Sequence, residues 1–107
     1  MIIRRKANGS ELNKIAEHFK GYIKIVVDIE REMISAGEDR HVDEEKELLD
    51  DGSHKINLWG GGLDLETKEI DYNSMINLRP NQDNPSRDIM SKQIRKRFDK
   101  IVRSLLL

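Results

Sequence analysis

The chain has 107 residues, 36% charged and 36% apolar, with a formal net charge of −1 and no cysteine. That length supports a single core, hiding roughly two thirds of the unfolded surface, and excludes a second independent one. The near-zero charge excludes attraction of the whole molecule to nucleic acid or anionic membrane, and the missing cysteines exclude disulfides, thiolate zinc sites and cysteine nucleophiles. The opening M-I-I-R-R-K-A-N-G-S lacks the apolar region of a signal peptide, and no apolar run approaches the ~18 residues of a membrane span. One cytoplasmic domain covering residues 1–107 is expected.

In chain order, Ser10 precedes Leu12, Ile15, Ala16 and Phe19, an apolar stripe at helical spacing with a capping serine before it. A helix is predicted over Glu11–Lys20, closed by Gly21. From Tyr22 the period becomes two: Ile23, Ile25, Val27 and Ile29 oppose Tyr22, Lys24, Val26, Asp28 and Glu30. Arg31–Ala36 either continues this strand or returns as a short hairpin strand carrying Met33 and Ile34. Val42, Glu45, Leu48 and Leu49 then make a narrow stripe on an acidic helix ended by Gly52. Lys55–Trp59 alternates again as a strand and runs into Gly60, Gly61 and Gly62, where a bend or close backbone approach is expected. Ile70–Leu78 reads as a further strand, stopped by Pro80. Ser91 or Asn84 caps the last helix, with Ile94, Phe98, Ile101, Val102 and Leu105 on one face.

Strands with one apolar face and three amphipathic helices predict an α+β fold in two layers, the helices on one face of a three- to four-stranded, mostly antiparallel sheet. By parity, Ile56, Leu58, Ile76 and Leu78 join the odd positions of the first strand beneath the helices. The opposite face then carries Asn57, Trp59, Asn73, Asn77 and Arg79. Asparagine is depleted in strands because its side chain competes for local backbone bonds, so this face is the expected location of a site. It continues into R-P-N-Q-D-N-P-S-R, where Arg79, Arg87 and Asn84 offer fixed donors and positive charge to an anion. Turn and cap chemistry alone explains most of those residues, leaving the two arginines as surplus.

Two other chemistries compete. Asp28, Glu30, His41 and Asp43 supply carboxylates and imidazole for a divalent metal that would lower the pKa of bound water in phosphoester hydrolysis. Their spacing matches no metal motif, and the first reading requires no cofactor. The last helix carries Lys92, Arg95, Lys96, Arg97, Lys100 and Arg103, a charge pattern that suits a nucleic acid backbone. No aromatic stacking platform accompanies it.

The segments V-V-D-I-E-R (Val26–Arg31), H-V-D-E-E (His41–Glu45), the run from Asp51 to Gly60 and S-M-I-N-L-R-P (Ser74–Pro80) together resemble the small prokaryotic domain-of-unknown-function family 5674. The resemblance covers the chain from about Glu11 onward and implies a short single-domain protein. It emphasises Asp28, Glu30, His41, Asp43, Trp59, Gly60, Asn77, Arg79, Asn84 and Arg87, and carries no activity, cofactor or substrate. Glu38-Asp39-Arg40 and Gly61-Gly62 depart from its pattern. The expectation is a binding protein for an anionic small molecule or protein partner, with Asn57, Trp59, Asn77, Arg79, Asn84 and Arg87 at the site. A homodimer is suggested by the terminal leucines, Leu105–Leu107, which would be awkward on a bare monomer.

Overall fold

A computed structural model describes all residues, Met1–Leu107. The chain runs β1 (Ile2–Ile3), α1 (Gly9–Ala16), β2 (Tyr22–Asp28), β3 (Met33–Ala36), α2 (His41–Asp50), β4 (Leu58–Asp64), β5 (Ile70–Asp71) and α3 (Lys92–Leu106), with short 3-10 turns at Lys55–Asn57, Met75–Asn77 and Pro80–Gln82. The five strands form one sheet in the order β1-β3-β2-β4-β5, every pair antiparallel. The α+β class and antiparallel sheet agree with the sequence reading; β1, which was not expected, is a two-residue edge too short to leave a pattern, and β5 is the first two residues of the strand expected from Ile70. No helix is long and apolar enough to cross a membrane.

β2 is central because both of its faces are apolar enough to be buried. Ile23, Ile25 and Val27 pack with Ile34, Trp59, Leu63, Phe98, Ile101 and Val102 in the main core, against which α1 and α3 lie. Val26, on the opposite face, packs with Met33, Leu58 and Leu48 of α2. The helices therefore cover both faces, where one had been expected: α2 sits alone on the second, over a small cluster that also buries Glu44 and Glu45.

Local boundaries follow side-chain chemistry. Asn8, two residues earlier than the predicted Ser10, caps α1 and forms a reciprocal box with Glu11. Asp28 Oδ1 accepts from the backbone of Glu30 and Arg31, both at 2.9 Å, and so turns β2 into the hairpin strand β3. Ser91, not Asn84, caps α3. The terminal leucines dock within the same chain: Leu105 and Leu106 are buried in the main core, and Leu105 O accepts from Ala7 N at 2.8 Å. Nothing about that tail calls for a second copy.

The largest departure is at β4. Lys55–Asn57 is a 3-10 turn, so the alternation expected from Lys55 begins only at Leu58. Val27 pairs with Trp59 and Asp28 with Leu58, which puts Trp59 in the main core at 2% exposure and leaves Ile56 63% exposed. Parity counted through the turn had placed these residues on the wrong faces. Ile70–Leu78 is likewise not one strand. Pairing stops at Asp71, and the Ser74 hydroxyl accepts from Ile76 N to start the turn Met75–Asn77.

The glycine triplet is explained by close approach. A Cβ on Gly61 would stand 2.2 Å from Asp71 O and 2.7 Å from the Phe98 ring; one on Gly60 would meet the Ser74 side chain at 2.6 Å. Replacing Gly61 with alanine is expected to cost about 1–3 kcal/mol or more, since backbone must move. Gly9, with nothing within 4 Å of its added Cβ, should accept alanine with no loss. Denaturant midpoints of G61A and G9A check the contrast.

Burial, opposed weakly by the Glu38 N–H, pushes the Glu44 carboxyl up from 4.5 to about 9. A carboxyl whose folded value is raised weighs against folding from its unfolded value upward, so the penalty grows between pH 4.5 and pH 9 and is complete above. Glu44→Gln is expected to raise the melting temperature at pH 8, by roughly 4 °C or more for a gain of about 1 kcal/mol, and to leave it nearly unchanged at pH 4.5. Thermal scans at the two pH values decide.

Candidate functional site

The polar segment after β5 has two separate roles. Its amides and one arginine complete the outer edge of β4. Even-numbered residues of β4 turn their backbone groups away from β2; Gly62 finds β5, but Gly60 and Leu58 lie beyond its end. The Asn77 side chain takes the place of a neighbouring strand: Oδ1 accepts from Gly60 N at 2.8 Å and Nδ2 donates to Gly60 O at 2.9 Å. Nδ2 also donates to Tyr72 O and Arg87 O, at 3.0 and 3.1 Å. Arg79 continues the edge, donating through Nη2 to Leu58 O and through Nη1 to Lys55 O, with its guanidinium 4.0 Å from the Trp59 ring centroid. Asn84 locks the loop to itself, donating to Asn77 O, Ser86 O and Asp88 O and accepting from Met90 N.

Asn77, Arg79, Asn84 and Trp59 are thus interior groups, at most 6% exposed, rather than a surface that faces a ligand. Burial holds the Arg79 guanidinium below the usual arginine range. Asn57 ends the 3-10 turn, its carbonyl taking Ile29 N at 3.0 Å.

Arg87 is different. It is exposed and its guanidinium has no hydrogen-bond or ion-pair partner, and it lines a cleft of about 540 Å³ together with Tyr22, Lys24, Arg40, His41, Val42, Asp71 and Asn73–Ile76. The cleft lies on the second face of the sheet, between the start of α2 and the segment held by Asn77. Its lining includes three cations, Lys24, Arg40 and Arg87, against one carboxylate, Asp71. That carboxylate is occupied, accepting from the Tyr22 hydroxyl at 2.6 Å and from Asn73 N at 3.1 Å. Burial, then the bond to Asp71, pushes the Tyr22 phenol up, so it stays protonated. Lys24 donates to Asp39 O at 2.8 Å and Arg40 pairs with Asp43 at 3.0 Å, both leaving donors over.

His41 stands in the first turn of α2, whose preceding residue, Arg40, supplies no side-chain cap. Its Nε2 lies 2.6 Å from Gly61 O. Burial, more than the Gly61 bond opposes, holds the imidazole below the usual histidine range, with Lys24 adding to the effect.

The four residues proposed for a metal are not brought together. Asp28 is used by its own turn, Glu30 faces Arg97 at 3.5 Å, Asp43 pairs with Arg40, and His41 reaches Gly61. No group of three or more histidine, aspartate or glutamate side chains is placed to hold an ion. Of the expected residues, then, Arg87 and His41 share the cleft; Lys24, Tyr22 and Arg40 were not singled out. The available signal was the pair Tyr22 and Lys24 on the polar parity of the best strand, and a basic residue next to His41 at a helix start.

These features define a small α+β protein with a positively lined cleft at the start of its second helix. The chain belongs to DUF5674, a family described as a protein of unknown function, whose model matches residues 1–105. No curated protein and no solved structure matches it.

If Asn77 is an edge-closing group, its removal is felt in stability. Asn77→Ala leaves Gly60 N and O and two further carbonyls without that partner, at about 1–3 kcal/mol for each group that stays unsatisfied. Asn77→Asp sets an acceptor against three carbonyls and should be no better. Both are expected to lower the denaturation midpoint sharply, whereas a surface ligand contact would leave it unmoved.

Proposed function

We propose that this protein binds a small anionic molecule, carrying a phosphate or carboxylate, in the cleft between the start of α2 and the Asp71–Ile76 segment. The observation that carries the reading is the convergence of Lys24, Arg40 and Arg87 on one concavity whose only carboxylate is already bonded. An arginine side chain without a partner offers the planar fork that suits such oxyanions. Arg87 is the residue retained from the expected site; Asn77, Asn84 and Arg79 support it by holding its loop. The cysteine-free composition supports a cytoplasmic setting.

The basic outer face of α3 is the weaker alternative. Three of its arginines are engaged: Arg97 donates to Ile29 O, Arg103 pairs with Asp99, and Arg95 donates to Ile89 O while lying 4.7 Å from the Tyr72 ring centroid.

Calorimetric titration with inorganic phosphate is expected to show saturable binding that weakens as salt is added. Arg87→Glu should reduce affinity tenfold or more, about the worth of one charge-assisted hydrogen bond. Lys96→Glu, an equal charge change on α3, should leave it unaltered. Absence of binding, or equal loss in both variants, overturns the reading.

A further inference from the structure

The His41 ring is held in one tautomer. Gly61 O can only accept, so the proton of the neutral ring sits on Nε2, 2.6 Å away. Nδ1 keeps its lone pair. It has no hydrogen-bond partner in the protein and is not among the fully buried unpaired atoms. The ring lines the same cleft as Lys24, Arg40 and Arg87. Its lowered basicity, caused mainly by burial, keeps that lone pair free at neutral pH.

We propose that His41 is a nucleophile that accepts a phosphoryl group on Nδ1 from a small acyl phosphate or phosphoramidate, a proposal that rests on the cleft being an anion site. The Nδ1 lone pair attacks phosphorus, the N–P bond forms, and the bond from phosphorus to the carboxylate or amine leaving group breaks, with the electron pair departing on that group. A carboxylate leaves as the anion; an amine takes its proton from water. No proton leaves the ring. The positive charge it gains is shared with Nε2–H, which already donates to Gly61 O, so the stabilising acceptor is in place before the reaction. Lys24, Arg40 and Arg87 supply the positive charge that the three phosphoryl oxygens require. Asp71 has an oxygen on Tyr22 and the other on Asn73 N, which holds its carboxylate in place, and its single negative charge is outnumbered by the three cations of the cleft. These features favour attack by His41 itself: they serve a group transferred to the ring, and the two hydroxyls of the cleft are withheld, Tyr22 donating to Asp71 and Ser74 lying buried with its oxygen accepting from Ile76 N.

The chain contains its own controls. His18 and His54 are exposed and lie outside the cleft. Simple access would favour them over half-buried His41. The full chain is incubated with phosphoramidate and, separately, with acetyl phosphate; acid-labile adducts are mapped by mass spectrometry and the ring isomer is read by phosphorus NMR. His41 is expected to react at least about tenfold faster than His18 and His54, at Nδ1, and Arg87→Ala to slow it about tenfold. His41→Gln, which keeps an N–H donor for Gly61 O, should lose the adduct. Equal rates at the three histidines, an Nε2 adduct, or no adduct in a protein that binds phosphate overturns the nucleophile and leaves the anion cleft standing. Failure to bind phosphate at all, measured calorimetrically on the same sample, overturns the cleft reading and this proposal with it.

Discussion

The outer edge of β4 is the constraint on which the rest of the molecule depends. A strand edge presents backbone donors and acceptors that must be paired or wetted, and β5 covers only part of this one. Beyond it the chain folds into 3-10 turns and leads to α3, so no strand is available. The vacancy is filled by side chains: one amide matches Gly60 in both directions, and one guanidinium spans Leu58 O and Lys55 O. Two hydrogens of Asn77 Nδ2 are shared among three carbonyls, so the same group also fixes Tyr72 and Arg87. The glycines permit this. Any side chain at Gly60 or Gly61 would push the covering segment off the strand.

That edge sets one wall of the cleft, and α2 sets the other at some energetic cost. The helix is held by a small apolar cluster and buries Glu44 and Glu45, each with a carboxylate oxygen that has no partner. Buried acids without partners weigh against folding, and a better-packed second face would have leucine there. What the placement achieves is the position of His41 against Gly61 and of Arg40 beside it in the cleft lining. The local rules of good packing are thus broken next to the proposed site, where such violations tend to gather.

Much of the fold could be read from periodicity. The alternation of Tyr22–Asp28 and the helical stripe of Phe98, Ile101, Val102 and Leu105 both survive in the structure, because burial enforces each of them. The alternation breaks at one point. A 3-10 turn between two apparent alternations resets the phase, and a shift of one residue exchanges the faces; Trp59 went to the core and Ile56 to solvent. The polar loop was recognised as unusual, but its purpose was misassigned. Asparagines that look surplus on a strand can be recruited by surfaces or by backbone, and only the positions of Gly60, Tyr72 and Arg87 distinguish the two. Arg87 was legible as a surplus charge. Lys24 and Tyr22 were not, since a lysine and a tyrosine on a polar strand face carry no sign of what will be packed opposite.

Fold and site are coupled through adjacent peptide units of one strand. Gly60 receives Asn77, which holds the loop bearing Arg87; Gly61 receives His41, which fixes the imidazole. Asp71, whose backbone lies against Gly61, carries the carboxylate that Tyr22 engages. Changes on β4 therefore alter the stability of the chain and the geometry of the cleft together. The charged groups at the rim are under a looser constraint: the Arg87 guanidinium has no polar partner, while Lys24 and Arg40 make only exposed polar contacts. The spacing of donors in the cleft is inherited from the backbone, whereas the number and reach of its cations are free to vary without disturbing the core. A scaffold of this kind keeps the histidine in place while the rim carries the charges on which the proposed anion binding rests.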